Sequence, residues 1–186
     1  MTRRDLGDKR NRVNEAAQLV RSLIQDVPDF PKPGIVFKDL TPVFAHPEAL
    51  RSICALFEAR YRNHHLTQVV AVESRGFLLG APLAMSMGLP LQLVRKHGKL
   101  PRATRRAEYS KEYGVDIMEL HRDAVSEGDR VVLIDDLLAT GGTARAAKDL
   151  VEAAGAEVVE TAFLVELTFL EGRQVLGGDV FALVGY

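Results

Sequence analysis

Short apolar runs alternate with helical patterns along most of this 186-residue chain. Runs of consecutive apolar residues, as at residues 69–72 and 131–134, predict strands that are buried on both faces. Apolar residues at helical spacing predict helices between them, at residues 77–87 and from Thr143 to about Ala154. Strands that alternate with helices are typical of an α/β fold, with a central, mostly parallel sheet flanked by helices.

The same patterns predict the remaining elements. Further helices are expected at residues 13–24 and 47–61, and further strands at residues 91–94, 113–120, 158–165 and 180–184. Residues 96–111 are basic and lack clear periodicity, so we expect a mobile loop there. The polar residues 1–12 are expected to form a flexible tail, and residues 13–186 a single domain.

Composition and charge narrow the classes of function. A net charge of −1 gives no overall attraction to nucleic acid or to an anionic membrane, so any polyanion site must be built locally. The apolar runs are too short to span a membrane, and the charged N-terminus is unlike a signal peptide. The single cysteine, Cys54, allows no disulfide within the chain. We therefore expect a cytoplasmic protein that binds neither nucleic acid nor membrane.

The strand at residues 130–134 leads into the most informative segment of the chain. Two carboxylates follow where the strand should surface, and a loop rich in glycine and hydroxyl groups then opens a helix: Asp135-Asp136-Leu137-Leu138-Ala139-Thr140-Gly141-Gly142-Thr143. Backbone N–H groups at the glycines, the threonine hydroxyls and the helix dipole all favour a bound phosphate group. The segment lacks the lysine of a nucleoside-triphosphate loop and the spaced glycines of a dinucleotide fingerprint. It therefore predicts a site for a sugar that carries a phosphate.

Basic residues follow two other predicted strands. Arg75 lies in the turn after one strand, and Arg95, Lys96 and Lys99 follow the next strand along the chain. Ligands of such sheets bind beyond the carboxyl ends of the strands, so these cations are expected beside the phosphate loop. Guanidinium forks and lysine charges suit pyrophosphate. The alternative is that they are ordinary surface bases.

Two further side chains are candidates for proton transfer. Glu112 closes the basic loop, and a carboxylate on a mobile loop can reach a reacting base when the loop closes and excludes water. A solvated glutamate beside Lys111 is the alternative. His97 is a candidate because histidine is a common general acid or base, but it lies in a basic turn. We interpret His97 as a loop histidine.

Six segments, taken in order, carry a family resemblance. They are Phe30-Pro31-Lys32-Pro33-Gly34-Ile35-Val36-Phe37-Lys38-Asp39, Glu73-Ser74-Arg75-Gly76-Phe77, Arg95-Lys96-His97-Gly98-Lys99-Leu100-Pro101, residues 109–114, residues 131–143, and Val165-Glu166-Leu167. From about Phe30 to its C-terminus the chain resembles the adenine phosphoribosyltransferases, within the type I phosphoribosyltransferases. The resemblance implies the type I phosphoribosyltransferase fold with a mobile catalytic loop, in a homodimer. It also implies transfer of the 5-phosphoribosyl group from phosphoribosyl pyrophosphate to adenine with Mg²⁺, giving AMP and pyrophosphate in purine salvage.

The resemblance also implies a role for each matching residue. Ala139, Thr140, Gly141, Gly142 and Thr143 would hold the 5′-phosphate, and Asp135 and Asp136 would lie at the ribose hydroxyls. Arg75, Arg95, Lys96 and Lys99 would serve the pyrophosphate, some of them across a dimer interface. Val36, Phe37, Lys38 and Leu167 would form the adenine pocket. Glu112 and Arg75 would be catalytic, with Glu112 in proton transfer at the base. Mg²⁺ would bind mainly through substrate oxygens and water rather than through protein ligands.

Two alternative functions stay open. One is a phosphoribosyltransferase for another nucleobase; a 6-oxopurine enzyme would usually carry a carboxylate where Ala139 stands, which disfavours that substrate. The other is a non-catalytic regulator that senses phosphoribosyl pyrophosphate, which would need a DNA-reading domain and could lose Glu112. Lys38 and His97 depart from the family pattern at the base pocket and the pyrophosphate loop. The basic run at residues 102–106 has no explanation in the sequence.

Overall fold

The chain adopts the α/β architecture that the alternating patterns predict. The computed structural model describes residues 3–110 and 115–186. Its helices are α1 (Arg3–Leu23), α2 (Thr41–Phe44), α3 (Pro47–Tyr61), α4 (Phe77–Met87), α5 (Gly142–Glu152) and α6 (Gly172–Leu176), with a 3₁₀ turn at Thr168–Leu170. Its strands are β1 (Gln25–Pro28), β2 (Val36–Asp39), β3 (Gln68–Val72), β4 (Leu91–Lys96), β5 (Thr104–Ser110), β6 (Val115–His121), β7 (Arg130–Leu138), β8 (Glu157–Glu166) and β9 (Val180–Gly185). In these described ranges no helix is long and apolar enough to cross a membrane.

The chain divides into two compact units between Ala59 and Arg60. A seven-stranded sheet with the order β5-β6-β4-β3-β7-β8-β9 organises the larger unit. Strands β4, β3, β7, β8 and β9 are parallel, whereas β6 runs antiparallel to both β4 and β5. The predicted central, mostly parallel sheet is therefore confirmed, and the single domain over residues 13–186 stays a prediction.

Helices cover both faces of the central strands. On one face, Ala147 and Leu150 of α5 belong to an apolar cluster that also contains Val70 and Leu133. On the other face, α4 packs on β3 and β7 at Gly80, where an added Cβ would lie 2.6 Å from the Cβ of Ala71. Because β3 and β7 are buried on both faces, their sequences are continuous apolar runs rather than alternating ones.

Strand β7 continues four residues beyond the end that the apolar run predicts. It reaches Leu138, and its pairing with β8 continues through Leu137 and Val165. Aspartate is uncommon in strands, so the sequence pattern ends the strand at Ile134. The parallel ladder with β8 keeps Asp135 and Asp136 in extended backbone, because their neighbours on both sides are paired.

The loop predicted at residues 96–111 is wrong at residues 104–110. Residues 104–110 form β5, which pairs with β6 along all seven of its residues. Ala107 and Tyr109 pack against the apolar cluster below α5. The charged residues of this strand, Arg105, Arg106 and Glu108, hide the alternation. Glu112, the predicted loop carboxylate, lies outside the described residues.

The first helix begins earlier than its apolar pattern indicates. Helix α1 starts at Arg3 rather than Val13, so residues 3–12 of the expected tail are helical. A polar segment carries no amphipathic signal, and the periodicity therefore begins only at Val13. Strands β1 and β2 of the smaller unit were not predicted, since each has only four residues. They pair antiparallel, with Val27 opposite Phe37.

The close approach at Gly80 gives a stability test. Glycine to alanine normally stabilises an exposed helix by about 1 kcal/mol. At this position we expect Gly80→Ala to lower the free energy of unfolding by about 1–3 kcal/mol, because the new methyl group would overlap Ala71. Urea denaturation measures the change, with Ala81→Ser on the exposed side of the same helix as the control. Stabilisation by Gly80→Ala would show that α4 does not pack this closely.

Candidate active site

The carboxyl ends of β3 and β7 open onto a cavity of about 450 Å³. Parallel strands present their carboxyl ends at one edge of the sheet, which brings the turns after them together. The cavity is lined by Glu73, Ser74, Arg75, Lys96, Tyr109 and all residues from Asp135 to Ala144. Arg75, Lys96 and the predicted phosphate loop at residues 139–143 therefore come together, as expected.

The phosphate loop has a backbone that requires glycine. Gly141 has a φ of +86°, in the left-handed region, and a Cβ there would lie 2.5 Å from the carbonyl oxygen of Gly172. Helix α5 begins directly after it, at Gly142. Because the first N–H groups of a helix have no partner within the helix, this loop presents backbone donors beside the cavity.

Two adjacent carboxylates meet one arginine on the cavity wall. Asp136 is only 4% exposed, and its Oδ2 lies 2.6 Å from Nε of Arg75. Asp135 is partly exposed, and its Oδ1 accepts the backbone N–H of Asp136 at 2.8 Å. Burial, together with the charge of Asp136, raises the pKa of Asp135 well above its usual range. Burial also raises the pKa of Asp136, against the opposing charge of Arg75.

A buried glutamate shapes the turn after β4. Glu119 is 2% exposed; its Oε1 lies 2.9 Å from Nδ1 of His97, and its Oε2 accepts the N–H of Gly98 at 2.9 Å. Nε of Arg106 donates to the same carboxylate at 2.8 Å. Burial alone would raise the pKa of Glu119, but these hydrogen bonds hold it below its usual value. His97 is thus a structural contact of the turn, which agrees with its interpretation as a loop histidine.

The other predicted cations of this turn are held by side-chain and backbone contacts. Nη2 and Nε of Arg95 lie 3.1 and 3.2 Å from the carboxylate oxygens of Glu73, and its Nη1 donates to the carbonyl oxygen of Lys99 at 3.0 Å. Glu73 also accepts the N–H of Lys96 at 2.9 Å. Arg95 and Lys99 do not line the cavity, whereas Lys96 does.

Six lining residues were not predicted as site residues, and three of them, Glu73, Ser74 and Tyr109, have polar side chains. Glu73 and Ser74 precede Arg75 in its motif, and their position at a strand end was the available signal. The hydroxyl group of Tyr109 accepts a hydrogen bond from Oγ1 of Thr143 at 3.1 Å and donates to Asp116 at 3.1 Å. Tyr109 therefore links the β5–β6 strand pair to the first turn of α5 by hydrogen bonds.

Comparison with known proteins identifies the family. The phosphoribosyl transferase domain model matches residues 40–173. An adenine phosphoribosyltransferase from Anaeromyxobacter sp. (strain Fw109-5) is 51% identical over 175 residues, which cover 94% of this chain and 99% of the relative. The chain belongs to the adenine phosphoribosyltransferase family. It is thus a transferase, as the sequence resemblance implies.

Solved structures confirm the type I phosphoribosyltransferase fold. The crystal structure of adenine phosphoribosyltransferase from Rhodothermus marinus is 47% identical with a TM-score of 0.87, covering 93% of this chain and 99% of that one. The enzyme from Saccharomyces cerevisiae, complexed with adenine and an imino-altritol bisphosphate, is 39% identical with a TM-score of 0.87. That match covers 91% of this chain and 99% of the yeast chain.

The residues assigned to an adenine pocket are divided between the two units. Val36, Phe37 and Lys38 lie on β2 of the smaller unit, where Nζ of Lys38 lies 2.6 Å from Asp26. Leu167 follows β8 in the larger unit. Their common pocket stays a prediction, as does the role of Glu112.

The raised pKa of Asp135 gives a second stability test. An unfolded aspartate ionises near pH 3.9, whereas folded Asp135 keeps its proton to a higher pH. As pH rises above about 4, ionisation therefore favours the unfolded state. We expect Asp135→Asn to raise the free energy of unfolding at pH 8, because the amide removes the charge that burial and Asp136 disfavour and keeps the acceptor for the N–H of Asp136.

This gain should disappear near pH 3.5, where the carboxyl group is protonated in both states. Urea denaturation of the ligand-free protein at several pH values measures it. Asp179→Asn, at an exposed aspartate, is the matched control and should change little. Equal destabilisation by Asp135→Asn at all pH values would contradict the charge argument.

Proposed function

We propose that this chain transfers the 5-phosphoribosyl group of phosphoribosyl pyrophosphate to adenine, giving AMP and pyrophosphate for purine salvage. One observation carries the proposal. The phosphate loop, the Asp135–Asp136 pair and the cations Arg75 and Lys96 line one cavity. They supply a separate kind of contact for the 5′-phosphate, the ribose hydroxyls and the pyrophosphate of the donor substrate.

The 5′-phosphate has an anchor in the loop between β7 and α5. Backbone N–H groups at Thr140, Gly141 and Gly142 and the hydroxyl of Thr143 can donate to its oxygens, and the dipole of α5 favours the negative charge. Ala139 completes this segment of the cavity wall. A phosphate that binds the hydroxyl of Thr143 competes with the hydrogen bond from Thr143 to Tyr109 of β5. Binding of the 5′-phosphate is therefore coupled to the β5–β6 strand pair.

The ribose hydroxyls have acceptors in the two aspartates. Asp135 is partly exposed at the cavity, whereas Asp136 is buried and paired with Arg75. A carboxylate that accepts hydrogen bonds from hydroxyl groups can keep its charge without bulk water. We therefore assign Asp135 and Asp136 to orientation of the sugar, not to proton abstraction.

The pyrophosphate requires positive charge and backbone donors. Arg75 and Lys96 line the cavity. Arg95 precedes Lys96 at the end of β4, and its Nη1 donates to the carbonyl oxygen of Lys99 in the turn that follows. Because Arg95 and Lys99 lie outside this cavity, we propose that they act from a second copy of the chain in a homodimer. Cations at this position stabilise pyrophosphate as it leaves and gains negative charge.

Mg²⁺ fits the chemistry of the acidic pair. In the described part of the chain no three His, Cys, Asp or Glu side chains converge as ligands, so protein groups alone form no cage there. Asp135 nevertheless offers carboxylate oxygens at the cavity, the donors that Mg²⁺ takes together with water and substrate phosphates. When bound, Mg²⁺ neutralises charge on the pyrophosphate. We propose that Asp135 and Asp136 hold it through water and the ribose hydroxyls.

The remaining task of the protein is to orient two reactants. Cleavage at the anomeric carbon builds positive charge on the ribose ring, and N9 of adenine then bonds to that carbon while pyrophosphate leaves. No strong protein nucleophile is needed, so positioning and charge stabilisation dominate. We assign the base pocket to Val36, Phe37, Lys38 and Leu167, and the proton removed from adenine to Glu112. A cytoplasmic location fits the lone reduced Cys54.

The choice of nucleobase is the decisive test. Purified protein with phosphoribosyl pyrophosphate and Mg²⁺ is assayed at steady state with adenine, hypoxanthine, guanine or uracil. We expect AMP from adenine and little product from hypoxanthine or guanine, because Ala139 supplies no carboxylate for a 6-oxopurine. We expect little product from uracil, because pyrimidine-specific relatives lack the segment at residues 30–39. Absence of AMP would overturn the proposal, and turnover of another base would establish the alternative substrate. Tight binding of phosphoribosyl pyrophosphate without any turnover would indicate the sensing regulator.

Separate variants test the assigned roles. Asp135→Asn and Thr143→Ala should weaken binding of phosphoribosyl pyrophosphate by about tenfold or more, because each removes a hydrogen bond to a charged or hydroxylated ligand. Glu112→Gln should lower kcat by about a hundredfold and leave that binding unchanged. Titration calorimetry and steady-state kinetics measure the two effects. Equal losses of binding in all three variants would contradict the assignment.

A further inference from the structure

A second cavity lies at the outer edge of the sheet. It has a volume of about 560 Å³ and is lined by Arg102, Ala103, Thr104, Arg105, Arg106 and Arg122. We call it the arginine groove. It shares no lining residue with the cavity at the carboxyl ends of β3 and β7. Its arginines include the basic run that the sequence left unexplained and that the transfer reaction does not use.

The arginine groove concentrates positive charge. Four of its six lining residues are arginines and none is acidic, although the whole chain has a net charge of −1. Arg102 is paired with Asp123, and Arg106 with Glu119. Among the residues that the structure describes, neither Arg105 nor Arg122 has a carboxylate partner. Two of the four guanidinium charges are therefore uncompensated.

The backbone holds these side chains in a fixed arrangement. Strands β5 and β6 pair with Arg105 opposite Leu120, and the N–H of Arg122 donates to the carbonyl oxygen of Ala103 at 3.0 Å. Nε of Arg106 is bonded to Glu119, and Nε of Arg122 donates to the carbonyl oxygen of Thr104 at 3.3 Å. These contacts engage Nε of Arg106 and of Arg122 and leave the terminal N–H groups of both side chains for a ligand.

We propose that the arginine groove binds an oligophosphate, either inorganic or carried by a nucleotide. Guanidinium groups bind phosphate oxygens with two parallel hydrogen bonds, and the uncompensated Arg105 and Arg122 offer two such forks for adjacent phosphate groups. No aromatic side chain lines the groove, so a nucleobase has no surface on which to stack. This composition favours recognition of phosphates alone over recognition of RNA.

The test uses tripolyphosphate as the probe in titration calorimetry, with and without saturating phosphoribosyl pyrophosphate. The transferase cavity also binds phosphates, and its share of the binding should be displaced by phosphoribosyl pyrophosphate. We expect a second, saturable component that phosphoribosyl pyrophosphate does not displace and that weakens as KCl is raised. In the double variant Arg105→Gln, Arg122→Gln this component should weaken by about tenfold or more, with the displaceable component unchanged.

The matched control is Arg51→Gln, Arg62→Gln, which removes two exposed arginines outside the groove and should leave both components unchanged. Equal weakening by both double variants would show a general charge effect and overturn the proposal. Absence of a non-displaceable component in the wild-type protein would also overturn it. Thermal unfolding checks that each variant is folded. Shifts of the Arg105 and Arg122 Nε–H signals in NMR titrations of the wild-type protein give a readout without mutation.

Further probes identify the source of the phosphate. ATP and tripolyphosphate that bind equally, with no binding of adenosine, would support recognition of the phosphate chain. If ATP binds more tightly than tripolyphosphate and adenosine also binds, recognition of phosphates alone would be overturned. A short single-stranded RNA that binds more tightly than tripolyphosphate would replace the proposal with a nucleic-acid site.

Discussion

The site depends on a pair of carboxylates, Asp135 at the cavity and the buried Asp136, at the end of a parallel strand. Asp135 and Asp136 are kept in extended backbone by the β7–β8 ladder, so they cannot turn out into solvent as loop residues would. Arg75 supplies an opposing charge, with its Nε 2.6 Å from Oδ2 of Asp136. Breaking such a buried pair is strongly unfavourable because it leaves an uncompensated charge. The position of Arg75 at the cavity is thus fixed by the strand behind it.

Carboxylates also position the neighbouring turn. Glu119 is buried on β6 and collects donors from the turn after β4 and from β5. Glu73 does the same at the end of β3, since it binds Arg95 and the N–H of Lys96. In both cases a carboxylate that carries no assigned role in the reaction holds basic residues in place. The cations can face an anionic ligand because buried acids position their neighbours.

The sequence predicted the parts of the fold that are defined by burial. Strand β3 and helix α4 follow from apolar runs and helical periodicity, and α4 matches the predicted residues 77–87. Strand β5 was missed because Ala107 and Tyr109, which pack on the apolar cluster, follow two arginines that hide the alternation. One of these, Arg106, is bonded to Glu119 on another strand. A contact between strands leaves no local signal in the sequence.

The candidate site shows the same limit. The phosphate loop could be predicted because its glycines, hydroxyls and helix start are consecutive, and each contributes to one local geometry. Arg95 and Lys99 were placed with Arg75 by charge alone, and charge does not show which cations face the cavity. Arg95 is directed instead by Glu73, more than twenty positions earlier in the chain. Residue types predicted that the site binds phosphate groups, and tertiary contacts determine which basic side chains face the cavity.

Arg106 links the arginine groove to the turn beside the transferase cavity. It lines the groove, and its Nε is also bonded to Glu119, which holds His97 and Gly98. An anion in the groove would share this guanidinium with Glu119, because it would bind the terminal N–H groups and draw on the same positive charge. If this changes the turn beside Lys96 and thereby the affinity for phosphoribosyl pyrophosphate, the effect must be reciprocal, because coupling between two binding equilibria acts equally in both directions. Phosphoribosyl pyrophosphate bound in the cavity would then alter the affinity of the groove by the same factor.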